Sequence, residues 1–135
     1  MTKKSINSLA YKVLGCVIEV HKNIGPGLLE SVYHKCLVHE LELKDISFVS
    51  EKVVPIKYKN ILLETELRCD LFIENSIVLE LKSVKEFHPI YDAQLLTYMK
   101  LLEAPKGLLI NFNCYNIFED GQKAFINNFF TKLDD

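Results

Sequence analysis

Between residues 5 and 23, apolar side chains recur at Ile6, Leu9, Val13, Val17 and Val20, and Leu14 and Ile18 widen the stripe. Steps of three and four are the period of an α-helix with one buried face. Gly25-Pro26-Gly27 interrupts that period, and a second helix is predicted from there to about Leu43, with Leu29, Val32, Cys36, Leu37 and Leu41 inward. The two should form a bent pair. After Lys44 the chain turns to β-branched and aromatic residues in short runs, which predicts strands over residues 47–58, 61–73 and 77–84. Pro55 makes the first of these an edge strand or a bulged one. Helical spacing returns over residues 91–102 through Leu95, Leu96, Met99 and Leu102, and residues 106–112 (KGLLINF) read as a buried strand. Residues 122–133 are expected to form a short helix. The order is helix, three strands, helix, strand. No internal repeat and no long linker divides it, so one domain over residues 1–135 is expected.

Composition narrows the class. With 49% hydrophobic and 25% charged residues, this is an ordinary globular chain that can bury a core without staples. Sixteen Lys and Arg against eighteen Asp and Glu leave a formal charge of -2, so any phosphate partner must be held locally and not by a general positive field. Cys16, Cys36, Cys69 and Cys114 are widely spread, with no C-x-x-C pair. They read as free thiols of a reducing compartment, not as a disulfide framework or zinc site. Lys12 and Glu19 break the first apolar stretch and no small-residue cleavage site follows, so no signal peptide is expected there, and no apolar run is long enough to span a membrane. A cytoplasmic location is expected.

The informative segment is Arg68 to Val84, RCDLFIENSIVLELKSV. Both arms of this apparent hairpin are apolar at alternate and intervening positions, so helices should cover both faces of the sheet. Asp70, Glu80 and Lys82 lie in or beside that run, where ions persist only if paired or bound to another ion. Side chains alternate along a strand, which puts Glu80 and Lys82 on one face and Leu79 and Leu81 on the other. A three-residue loop, Glu74-Asn75-Ser76, sets Asp70 directly opposite Glu80; a two-residue loop at Asn75-Ser76 pairs Asp70 with Leu81 and separates the carboxylates. In the first register two carboxylates and an ammonium cluster at one end of the hairpin. Carboxylates suit a hard cation such as Mg²⁺, and a nearby lysine can orient or help deprotonate a water or steady a phosphate. That is a kit for metal-assisted phosphodiester hydrolysis. The plainer alternative is a surface salt bridge between Lys82 and a carboxylate.

These residues resemble a known family. Asp70, nine intervening residues, and then Glu80-Leu81-Lys82 are similar to the D…(D/E)-x-K signature of the PD-(D/E)XK nuclease superfamily, with Cys69 where the superfamily's proline usually stands. Gly27-Leu28-Leu29-Glu30-Ser31-Val32-Tyr33 resembles the G-x-x-E-x-x-Y motif of the GxxExxY family of small bacterial and archaeal proteins. Gln94 and Tyr98, in Ala93-Gln94-Leu95-Leu96-Thr97-Tyr98, resemble the Q-x-x-x-Y helix of RecB-like nucleases. The likeness extends over EVHKNIGPGLLESVY and GLLINF, and so over nearly the whole chain.

The resemblance implies a mixed α/β, restriction-endonuclease-like core whose sheet is covered by helices on both faces. It implies Asp70 and Glu80 as metal ligands, the Leu81 carbonyl as an available third, Glu30 as the helix carboxylate that completes or approaches the site, and Lys82 as the catalytic lysine. Gln94 and Tyr98, one turn apart on a helix, would position a DNA backbone, brace the catalytic strand or bond each other. The activity implied is a Mg²⁺- or Mn²⁺-dependent nuclease acting on DNA. The competing reading is a catalytically silent nuclease-fold module that binds nucleic acid or a protein. A homodimer would supply binding surface that so small a chain lacks. Tyr33 is expected to pack with its hydroxyl satisfied, and the four histidines are expected on helices or the surface. Lys52, Lys57, Lys59, Lys85 and Lys100 either track a phosphate backbone or solvate a face.

Overall fold

The computed structural model describes residues 1–135. Helices α1 (Lys3–Ile24) and α2 (Glu30–Leu43) lead into β1 (Phe48–Val53), β2 (Ile56–Tyr58), β3 (Ile61–Leu63), β4 (Arg68–Ile73) and β5 (Ile77–Lys82). These are followed by α3 (Pro89–Leu101), β6 (Lys106–Asn111), α4 (Ile117–Asp120), β7 (Gln122–Ile126) and α5 (Asn128–Thr131). Five strands form one sheet in the order β1-β4-β5-β6-β7; β2 and β3 pair only with each other. The β5–β6 pair, joined through α3, is parallel and the other pairs are antiparallel. The fold is the mixed α/β core expected.

Helix α1 starts at a capping box, in which Thr2 and Ser5 satisfy each other's backbone N–H groups, and it buries Ile6, Ala10, Val13, Cys16, Val17 and Val20. Gly25 and Gly27 end it at φ 71° and 94°, a region in which other residues are strained. The second helix is phased differently from expectation. It buries Tyr33, Leu37 and Leu41, leaving Leu29 and Val32 exposed and Cys36 half-buried. Tyr33 decides that phase: its hydroxyl donates to the Gly25 carbonyl (2.6 Å) and accepts from the Leu28 N–H (3.1 Å), and its ring stacks on Phe112 at 4.2 Å.

Apolar clusters cover both faces of the sheet. Leu71, Ile73, Ile77, Leu79, Leu81, Leu108 and Ile110 pack with α1 and α2 in a core of 18 buried residues. Cys69, Phe72, Val78 and Leu109 pack on the opposite face with Leu95, Tyr98 and Met99 of α3 in a core of nine. Leu96, expected inward, is exposed, and Tyr98 takes its place.

Three further expectations are corrected. The first two long strands are each split: Pro55 and the left-handed pair Lys59-Asn60 (φ 46° and 69°) fold β2 and β3 into a separate hairpin, while β1 remains the sheet edge. Residues 122–133 are not one helix. Gln122–Ile126 forms the far edge strand, paired with β6, and the Asn127 side chain then accepts from the Phe129 and Phe130 N–H groups to cap the single turn of α5. A short edge strand is dictated by the neighbour it pairs with more than by its own periodicity. The third hairpin arm is also shorter than expected, ending at Lys82.

Candidate active site

The hairpin register is the one that joins the carboxylates. Ile73 pairs with Ile77, Phe72 with Val78 and Leu71 with Leu79, which places Asp70 across from Glu80. Glu74 and Asn75 are left-handed (φ 45° and 53°), and the Ser76 N–H closes the turn on the Ile73 carbonyl at 2.8 Å, giving the three-residue loop that register needs. The Ser76 hydroxyl, donated to the Glu74 carbonyl at 2.7 Å, braces it.

Asp70 and Glu80 are tied crosswise to each other's strands. The Leu81 N–H donates to Asp70 Oδ2 at 2.7 Å, and the Asp70 N–H donates to Glu80 Oε2 at 3.3 Å. Glu80 is only 5% exposed. Burial pushes its carboxyl up to about 9, with the hydrogen bond and the charge of Asp70 adding to the rise; the Asp70 N–H and Lys82 oppose it. The same two carboxylates, after burial, hold the Cys69 thiol up at about 12 and raise the Tyr98 hydroxyl. Close carboxylates that resist sharing negative charge form an oxygen donor set suited to a hard divalent cation.

Lys82 lies beyond Glu80 on the same strand face, half-buried. The surface-salt-bridge alternative fails, because the ion pairs in the molecule are Lys3–Asp135 and Lys123–Asp92 and neither involves Lys82. Glu30, in the first turn of α2, is exposed and lines a groove of about 350 Å³ that Asp70 also lines. No three His, Cys, Asp or Glu side chains gather closely enough to hold a metal ion, so Glu30 shares the groove with Asp70 without forming a three-carboxylate cluster. Gln94 is exposed on α3, and its side chain offsets part of the Tyr98 shift. Tyr98 is 5% exposed and packs in the smaller core, so it has little surface to offer a substrate.

Sequence reasoning missed part of the groove. His34 and Ser50 join across it at 2.8 Å between Nε2 and Oγ, and Glu51 lines it beside them. His34 follows Glu30 by four residues, one helical turn, and that spacing was a readable signal. Ser50 and Glu51 reach the groove through the antiparallel pairing of β1 with β4, in which Ser50 faces Leu71 and Lys52 faces Cys69. No local pattern reveals that pairing. Glu51 has φ 51° within the strand, an uncommon conformation for a residue other than glycine.

A family model described as the PD-(D/E)XK nuclease superfamily matches residues 7–124. The chain belongs to the PD-(D/E)XK nuclease superfamily. No curated protein and no solved structure matches it significantly. The match runs from α1 into β7 and takes in Glu30, Asp70, Glu80, Lys82, Gln94 and Tyr98. No helix is long and apolar enough to cross a membrane.

Proposed function

We propose that this superfamily member is a Mg²⁺- or Mn²⁺-dependent nuclease that hydrolyses phosphodiester bonds in DNA. One observation carries the reading: Asp70 and Glu80 face each other on adjacent strands, with the ammonium of Lys82 on the same strand face and in no ion pair. Hairpin folding gains nothing from charges there, since burying them costs free energy that apolar residues would not. Asp70 and Glu80 would hold the cation, with the Leu81 carbonyl as a third oxygen and Glu30 reaching in from α2. A divalent cation so held would supply an activated water and neutralise charge on the phosphate. Lys82 orients that water or steadies the phosphate oxygens. Exposed Gln94 contacts the nucleic-acid backbone, and buried Tyr98 braces the strand carrying Glu80. The G-x-x-E-x-x-Y segment supports placement in the GxxExxY family, and a single domain acting in the cytoplasm as a homodimer completes the reading.

Supercoiled, linear and single-stranded DNA and RNA, each incubated with Mn²⁺, Mg²⁺ or EDTA, test it when wild type and Lys82→Ala are run together. Metal-dependent cutting of DNA is expected, with a loss of roughly a hundredfold or more in the variant while Mn²⁺ binding is retained. Equal cutting by both proteins would falsify the role of Lys82. A folded wild type that cuts nothing would favour the silent binding module.

A further inference from the structure

We propose that Tyr91, on the first turn of α3, is the positioning residue for the Lys82 ammonium. This rests on the nuclease reading for its purpose and on geometry for its content. Lys82 Nζ lies 4.5 Å from the centre of the Tyr91 ring, and the ammonium makes no hydrogen bond or ion pair with another side chain. Cations are attracted to the electron-rich face of an aromatic ring at such distances. A long lysine side chain with no other anchor would otherwise sample many rotamers, and a reactive group gains from being held in one region.

The ring is itself held. His88 caps α3 by accepting the Ile90 N–H on Nδ1 at 3.1 Å, and its imidazole lies 6.0 Å from the Tyr91 ring, tilted by 59°. Pro89 opens the helix at the position where a missing N–H costs nothing. Tyr91 and Tyr98 are seven residues apart, two helical turns, and so project from one side of α3. Burial and then the nearby charge of Glu80 raise the Tyr98 hydroxyl, while Tyr91 meets Lys82 two residues further along the strand. One helix stripe therefore follows the charged face of β5. An ion pair would hold Lys82 too, but it would draw the ammonium onto the carboxylates that the cation needs. The ring holds the charge without competing for them.

The test compares Tyr91→Phe, which keeps the ring face, with Tyr91→Leu and Tyr91→Met, which remove it; two apolar replacements guard against a folding failure in one. In carbon–proton NMR of the full chain, with the Lys82 signal identified by its absence in Lys82→Ala, the Lys82 ε-methylene protons should be shifted upfield by the ring. That shift should persist in Tyr91→Phe and vanish in the other two. In cleavage assays, kcat should fall roughly tenfold in Tyr91→Leu with KM and Mn²⁺ affinity unchanged, and Tyr91→Phe should recover most of the rate. Unshifted Lys82 protons in the wild type, equal loss in Phe and Leu variants, or loss of Mn²⁺ binding along with kcat would each overturn the proposal. If the wild type cuts nothing, the nuclease reading fails, and the NMR comparison judges the Lys82–Tyr91 pairing without it.

Discussion

The two faces of one hairpin have been put to opposite uses. Toward α1 and α2, strands β4 and β5 present Leu71, Ile73, Ile77, Leu79 and Leu81, all buried in the 18-residue core. Toward α3, the same strands present Phe72 and Val78, and beyond them Glu80 and Lys82 meet Tyr98 and Tyr91 of that helix, while Asp70, in β4, lines the groove beside α2. One face is built for burial alone. The other gives part of its buried area to ionisable groups that cost more to bury than apolar residues, so stability and chemistry draw on different parts of the same hairpin.

That contrast can be broken by experiment. The largest effect is expected from Asp70→Asn, which should remove cleavage and Mn²⁺ binding together yet raise the melting temperature of the metal-free protein above about pH 9, where Glu80 is ionised. It deletes the charge beside Glu80 while leaving an oxygen to accept the Leu81 N–H, a bond that Asp70→Ala would lose. A lower melting temperature would show that the charged face supports the fold after all. On the opposite face, Leu37→Ala should cost roughly 2–5 kcal/mol by emptying a fully buried position, read by denaturant unfolding. The folded fraction should cut at the wild-type rate.

A pH series sharpens the comparison. Because the Glu80 carboxyl titrates near 9 in the folded protein against about 4.5 when unfolded, the native state binds its proton more tightly. Stability of the metal-free protein should be highest at or below about pH 4.5 as far as this group is concerned, and should decline as pH rises toward 9. Glu80→Gln should flatten the decline in midpoints measured at pH 5, 7 and 9. An identical slope in both proteins would mean that other groups govern it. The smallest effect is expected from Tyr33→Phe. Losing the hydroxyl's bonds to Gly25 and Leu28 should cost roughly 1–2 kcal/mol, seen as a lowered thermal midpoint with Mn²⁺ affinity intact.

Much of the charged face was legible because its residues break a pattern. A carboxylate in an apolar strand is conspicuous, and the period of two puts Glu80 and Lys82 on one face, but whether Asp70 joins them turns on the loop length, which the sequence leaves open between Glu74-Asn75-Ser76 and Asn75-Ser76. Tyr33 was legible as a packing residue, although the phase of its helix was not, since the deciding contacts come from Gly25, Leu28 and Phe112. The edge strand Gln122–Ile126 was hidden for a similar reason: its partner, β6, supplies the reason to extend. Glu51 and Ser50 enter the groove only through the β1–β4 pairing, a contact between segments about twenty residues apart. Tyr91 lay in plain view seven residues before Tyr98, but its meaning depends on where the Lys82 chain ends.

The β2–β3 hairpin has a practical consequence. Two three-residue strands that pair only with each other, with Tyr58, Ile61, Leu62 and Leu63 exposed, make a unit below the size that holds together by itself in water. Its amides should exchange with solvent through local opening well before the central strands do, and the Lys59-Asn60 turn is where a protease would first nick the chain. The same turn is the natural site for a fluorophore or an inserted tag, because what happens there need not be transmitted to the sheet.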